Sequence, residues 1–179
     1  SQLLLVDVNQ QGLDALASEL KADGAQVETF VGDLSDINVP QQIVDAAKAA
    51  FGGLDVLISN AGIINRATLL DMEAEQFDRS MAINTRATWL LGKAAHPLLK
   101  ESGGNIVATA SISGENPSPP LAAYSASKAA LIMLVRQMSI EWGPDGIRCN
   151  CVSPGSTHTA MTDARYSDPE LRQQAQDRN

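Results

Sequence analysis

Short apolar runs alternate along almost the whole chain with longer stretches whose apolar residues recur every three or four positions. Leu3 to Val8 is the first run and predicts a buried parallel strand. Gln11 to Ala22 follows with helical spacing at Leu13, Leu16 and Leu20, and Gly24 supplies the stop. The pair then repeats. Val27 to Val31 predicts a strand closed by Gly32-Asp33-Leu34, and Pro40 to Phe51 an amphipathic helix with proline suited to its first turn. Gly52-Gly53 break that helix, and Leu54 to Ser59 predicts a third strand ahead of Asn60-Ala61-Gly62. Ala74 to Lys100 is expected to be mostly one long helix, bent or trimmed near Pro97. Gly103-Gly104 turn the chain into a strand over Asn105 to Ser111. A loop rich in proline, glycine and serine, Ser113 to Pro120, leads into a helix over Leu121 to Trp142. Gly143 to Gly146 then turn into a last strand, Ile147 to Val152. Thr159 to Asn179 is polar and is expected to be a partly helical lid.

Strands alternating with helices predict an α/β fold, a parallel sheet with helices on both faces, formed as one domain over residues 1–179. Ligands of such sheets bind beyond the carboxyl ends of the strands. Asp7, Asp33, Asn60, Ser111 and Pro154-Gly155 all fall at strand ends.

Composition narrows the function. A formal net charge of −8 argues against a nucleic acid or an anionic membrane surface as partner. No apolar run approaches the roughly 18 residues that span a bilayer, and no leader pattern is visible, so a cytoplasmic location is expected. Cys149 and Cys151 are expected to be reduced thiols, unbridged because they point to opposite faces of a strand. Neither they nor His96 and His158 have metal-ligand spacing.

Chemistry concentrates at Tyr124 and Lys128. Four residues apart on a helix, they share a face. A free phenol, with a pKa of about 10, is a poor base at neutral pH, and a neighbouring ammonium stabilises the phenolate. The pair therefore suits general acid/base catalysis from a rigid element. Asn84 stands in mid-helix, where asparagine is unfavourable without a reason.

Asn60-Ala61-Gly62, Asn84, Ser111, Tyr124 with Lys128, and Pro154-Gly155 followed by Thr159 together resemble the short-chain dehydrogenase/reductase family, from Leu3 to Thr159. The resemblance implies a Rossmann-type, doubly wound, three-layer α/β/α fold and an NAD(H)-dependent oxidoreductase interconverting a secondary alcohol and a ketone. It implies that Tyr124 exchanges the hydroxyl proton. Lys128 would lower the tyrosine pKa and hold the nicotinamide ribose, Ser111 would hold the substrate oxygen, and Asn84 would anchor a water leading from Lys128 to solvent. Asp7, Asp33, Leu34, Asn60, Ala61, Gly62, Tyr124, Lys128, Pro154, Gly155, Thr157 and Thr159 would contact the cofactor, with Asp33 at the adenine. A carboxylate at Asp7 would accept from the adenosine ribose and repel a 2′-phosphate, favouring NAD over NADP.

The sequence departs from the family at its ends. The glycine-rich loop Gly-x-x-x-Gly-x-Gly and its strand are not in it, nor is a seventh strand. The expectation is a fragment, with a gap in the sheet where the family's first strand lies between its second and fourth. The helices holding Asn84 and Tyr124 are apolar on more than one face, which fits a homotetramer or homodimer built through them. The loop Ser113 to Pro120 is polar and leans toward a polar alcohol substrate, with Glu115, His158 and Arg165 as possible contacts. Two other readings share the fold: a dinucleotide-binding regulator without turnover, and an epimerase or dehydratase.

Overall fold

The computed structural model describes residues 1–159, 162, 163 and 167. Apart from Thr159, Thr162, Asp163 and Ser167, the expected lid lies outside the described residues, as does Arg165. In chain order the elements are β1 (Gln2–Asp7), α1 (Gln10–Ala22), β2 (Gln26–Val31), α2 (Val39–Phe51), β3 (Val56–Ser59), α3 (Ala74–Met81), a π-helical turn (Ala82–Arg86), α4 (Ala87–Ser102), β4 (Asn105–Thr109), α5 (Ala122–Trp142) and β5 (Arg148–Val152). Gly52 and Gly103 end α2 and α4 in the left-handed region, at φ of 82° and 64°, where a side chain would strain the backbone.

Strand alternation sorts the side chains. On β4, Ile106 and Ala108 are fully buried against Leu99 of α4 and Leu131 and Val135 of α5. On the other face of the same sheet Val56, Ile58 and Val152 are exposed, Ile58 at 67%. Leu4, Val6 and Phe30 of β1 and β2 pack with Ile43 of α2 and Leu91 of α4. Val27, out of phase with Phe30, is buried on the opposite face, where α1 covers it with Leu13 and Ala17. Helices therefore lie on both faces of β1–β2, and on β3–β4–β5 they cover the face of Ile106 and Ala108. Cys149 and Cys151 both pack into the α4–α5 core as free thiols. The expectation of opposite faces was wrong, because residues two apart on a strand share a face.

The long helix expected from Ala74 to Lys100 is instead two α-helices joined by the π turn, in which Ala87 N bonds back to Ala82 O. Periodicity does not register one extra residue in a turn, and Asn84 sits inside it. Pro97 neither ends nor trims the second helix, which runs on to Ser102. No helix among the described residues is long and apolar enough to cross a membrane.

The strands form two sheets, β1–β2 and β3–β4–β5, and every strand pair is parallel. The expected gap is present. Between β1 and β3 lies a trough of about 930 Å³, lined by the two strands and floored by Ile43, Val44, Leu91 and Leu98. Among the described residues, the edge of β1 away from β2 and the edge of β3 away from β4 have no strand partner. Unpaired parallel edges beside exposed apolar residues are templates for association. Produced as these 179 residues alone, the chain is expected to self-associate and to melt without a sharp transition. Light scattering and calorimetry check this, and a monodisperse, cooperatively melting chain that binds NAD tightly contradicts it.

Candidate active site

A cluster of polar groups forms where β3, β4 and β5 end at their carboxyl edge. Lys128 is its centre. It lies one turn into α5, only 3% exposed, and its Nζ donates to the Thr109 carbonyl at 2.6 Å. Burial pushes its pKa down to about 8. Among the described residues no carboxylate pairs with it. The same Nζ stands 5.8 Å from the Tyr124 ring centre, one turn back on the helix.

Asn84 closes the cluster from behind. It is 1% exposed and makes three hydrogen bonds. Its Oδ1 accepts from Ile63 N at 2.8 Å, while Nδ2 donates to Ile63 O at 3.0 Å and to Ser127 Oγ at 2.9 Å. Ser127 Oγ in turn donates to the Tyr124 carbonyl, and Thr85 Oγ1 donates to the Ser127 carbonyl. The amide thus clasps the loop after β3 to the helix of Tyr124 and Lys128. Each of these three bonds from its side chain goes to a protein group. Gly62 is held so close that an added Cβ would lie 3.3 Å from Asn84 Oδ1 and 3.5 Å from Lys128 Nζ.

Ser111 follows β4 in extended conformation, and its Oγ accepts from Ser113 N at 3.1 Å, opening a 3₁₀ turn over Ile112–Gly114. That turn lies on α5 itself. A Cβ on Gly114 would come within 2.7 Å of the Lys128 carbonyl carbon, so only glycine lets the serine loop rest on this helix. Asn60 joins through Thr109, whose Oγ1 donates to Asn60 Oδ1 at 2.9 Å. Pro154 joins through its carbonyl, which accepts from Ile112 N at 3.2 Å.

The remaining expected residues lie elsewhere. Asp7 ends β1 across the trough, where its Oδ1 accepts from Asn9 N at 2.9 Å. Asp33 follows β2, with Oδ1 accepting from Ser35 N and Oδ2 paired to Arg79 at 3.2 Å. The amide and hydroxyl of Ser35, and then Arg79, hold its carboxyl below the usual carboxylate range. Leu34 packs into the core beside Ile43, and Ala61 lines the trough next to Asn60. Thr157 and Thr159 bond to Thr162, and Gly155 O accepts a long bond from Thr157. His158 pairs with Asp163 at 2.8 Å in the open, and Glu115 is exposed. Sequence reasoning missed Ser127, Thr109, Gly114, Arg79 and Arg86. Ser127 alone left a trace, a hydroxyl beside Lys128 in a helix otherwise rich in apolar positions.

The profile described as short chain dehydrogenase matches residues 1–170. The chain is 31% identical to the uncharacterized oxidoreductase YxbG of Bacillus subtilis, over all of this chain and 67% of that protein. It superposes on NAD⁺-bound xylitol dehydrogenase with a TM-score of 0.89 at 27% identity, over 97% of this chain and 73% of the other. It superposes on a gluconate 5-dehydrogenase from Burkholderia cenocepacia, in complex with NADP and tartrate, with a TM-score of 0.86 at 27% identity, over 94% and 66% of the two chains. The chain spans about two thirds of the length of the curated relatives it matches. With the profile match over residues 1–170 and the 31% identical relative in agreement, the chain belongs to the short-chain dehydrogenase family of oxidoreductases.

Proposed function

We propose that this chain carries the proton-transfer and adenosine-binding parts of an NAD-preferring enzyme that interconverts a polar secondary alcohol and its ketone. One observation carries the reading: a buried ammonium, Lys128, held beside Tyr124 with a carbonyl and, among the described residues, no carboxylate for company. An ammonium there costs stability, and what it gives in return is stabilisation of a phenolate. Tyr124 takes the alcohol proton in oxidation and returns it in reduction. Ser111 steadies the substrate oxygen as charge develops on it. Asn84, through Ile63 and Ser127, sets the distance between the loop after β3 and these groups.

The residues fit a nicotinamide dinucleotide. Gly62 leaves bare backbone facing Asn84 and Lys128, a close approach that a Cβ would obstruct. Lys128 would hold the nicotinamide ribose, with Asn60, Ala61, Pro154, Gly155, Thr157 and Thr159 lining the path, and Asp7 and Asp33 would meet the adenosine end. When bound, the nicotinamide supplies or accepts the hydride. Structural relatives hold both NAD and NADP. The Asp7 carboxylate, which would repel a 2′-phosphate, favours NAD here. The polar loop Ser113 to Pro120 supports a polyol, sugar or hydroxy-acid substrate, as do the xylitol and gluconate enzymes among the neighbours. Trp89, Met133 and Ile140 are exposed on α4 and α5 and support self-association through these helices.

In the full-length protein, Tyr124→Phe is expected to lower turnover by about 10²–10⁴-fold, the usual worth of general acid/base catalysis, while leaving NADH affinity intact. Lys128→Met should lower both turnover and affinity. Steady-state rates beside NADH titrations check this, and near-normal turnover by Tyr124→Phe rejects the assignment. Asp7→Ala should shrink the ratio of kcat/KM for NAD over NADP, mainly through the cofactor KM. An unchanged ratio would reduce Asp7 to a turn residue.

Lys128 also makes stability depend on pH. Its pKa falls from 10.5 in the unfolded chain to about 8 in the folded one. Between those values the unfolded state binds more protons, so stability rises with pH. The penalty is fully present below pH 8 and gone above pH 10.5, and is worth about 3 kcal/mol. As pH is raised through this window, cofactor-free wild type is expected to gain stability relative to Lys128→Met, and as pH is lowered through it, to lose that gain. Urea denaturation at both ends of the window measures the difference, and parallel pH profiles for the two proteins contradict it.

A further inference from the structure

We infer that Arg86 is a positioning residue for the adenosine end of the cofactor, acting through the loop after β2; the inference rests on the nicotinamide-dinucleotide reading above. Arg86 closes the π turn, two residues after Asn84. Its Nη2 reaches across to the Ser35 carbonyl at 2.6 Å. Its Nε is buried without a hydrogen-bond partner, and among the described residues no carboxylate pairs with it. A guanidinium so placed spends its charge on one short bond to a neutral backbone oxygen, an arrangement that fixes position more than it adds stability.

The loop it reaches holds Asp33 and Leu34 beyond the carboxyl end of β2, beside Asp7 at the end of β1. Arg79, one element earlier in the same helical rod, meets Asp33 Oδ2 at 3.2 Å, and Asp33 Oδ1 accepts from Ser35 N at 2.8 Å. The turn Asp33 to Ser35 is thus pinned on itself and twice from this rod. The Arg79 pair is about half exposed and is a weak tether. The Arg86 bond is shorter and partly buried, and is the stronger one. Between the two arginines sits Asn84, which clasps Ile63 and Ser127. One stretch of backbone therefore references the adenosine-side loop on β1–β2 to the proton-transfer groups on β3–β4–β5, across a trough that no strand among the described residues bridges.

The test uses ADP-ribose, which has the adenosine and lacks the nicotinamide, titrated beside NADH into the full-length protein. Arg86→Met is expected to weaken both ligands by the same factor, about tenfold for one charge-assisted hydrogen bond. The loss should appear in the cofactor KM and not in kcat at saturating cofactor. Arg86→Lys, which keeps the charge and loses the fork, should fall between wild type and Arg86→Met. If Arg86→Met does not melt cooperatively, Arg86→Lys decides, and wild-type affinity for ADP-ribose in that variant overturns the inference. So does a fall in kcat with ADP-ribose affinity unchanged, which would place the role of Arg86 at the Asn84 turn. Wild-type protein that binds neither ligand overturns the dinucleotide reading itself, and this inference with it.

Discussion

A buried carboxamide must be satisfied, and the site is arranged around that requirement at Asn84. Leaving one of its polar groups unpaired would cost about 1–3 kcal/mol. The partners that prevent this are the two backbone groups of Ile63 and the hydroxyl of Ser127. They belong to the loop after β3 and to the helix of Tyr124 and Lys128. Satisfying the amide therefore fixes one against the other, and the π turn is what aims Asn84 at both. Single π turns inside α-helices often mark functional positions for this reason.

The remaining tethers follow from that clasp. Gly62 is carried next to Lys128 because Ile63 is held. Lys128 reaches the Thr109 carbonyl because α5 is held, and Thr109 reaches back to Asn60. Gly114 lays the Ser111 loop on the same helix, where any side chain would collide with backbone. Ser59 Oγ and Thr88 Oγ1, 2.7 Å apart and buried, add a polar link between β3 and α4. None of these contacts crosses to β1–β2. The two half-sheets communicate through the packing of α2 on α4 and through the arginines of the helical rod.

Much of this was legible in the sequence. The alternation of apolar runs with helical periods located the strands within one to two residues, because buried strands and amphipathic helices differ in period. The gap between β1 and β3 was legible as well, since strand order follows from the family resemblance. What stayed hidden had physical causes. The π turn adds one residue without altering the apolar spacing around it. The Thr109 carbonyl is a backbone group, so no residue type announces it. Arg79 and Arg86 reach Asp33 and Ser35, 46 and 51 residues away, and local pattern says nothing about such partners. Ser127 looked like one more small residue in an apolar helix.

Lys128 is where local stability and fold disagree. The buried side chains of Asn84, Ser59, Thr88 and Ser127 gain hydrogen bonds that offset their desolvation. Lys128 has one carbonyl, no countercharge among the described residues, and a pKa lowered to about 8 as the mark of that imbalance. A leucine or methionine of similar volume would fill the same space at lower cost. Positions where a chain accepts such a cost are where function is expected to sit. The cost also has a direction. It falls on the ammonium, so an anion formed beside Lys128 would recover part of it, and one group beside it that can become an anion is the phenol of Tyr124, whose ring centre lies 5.8 Å from the ammonium nitrogen.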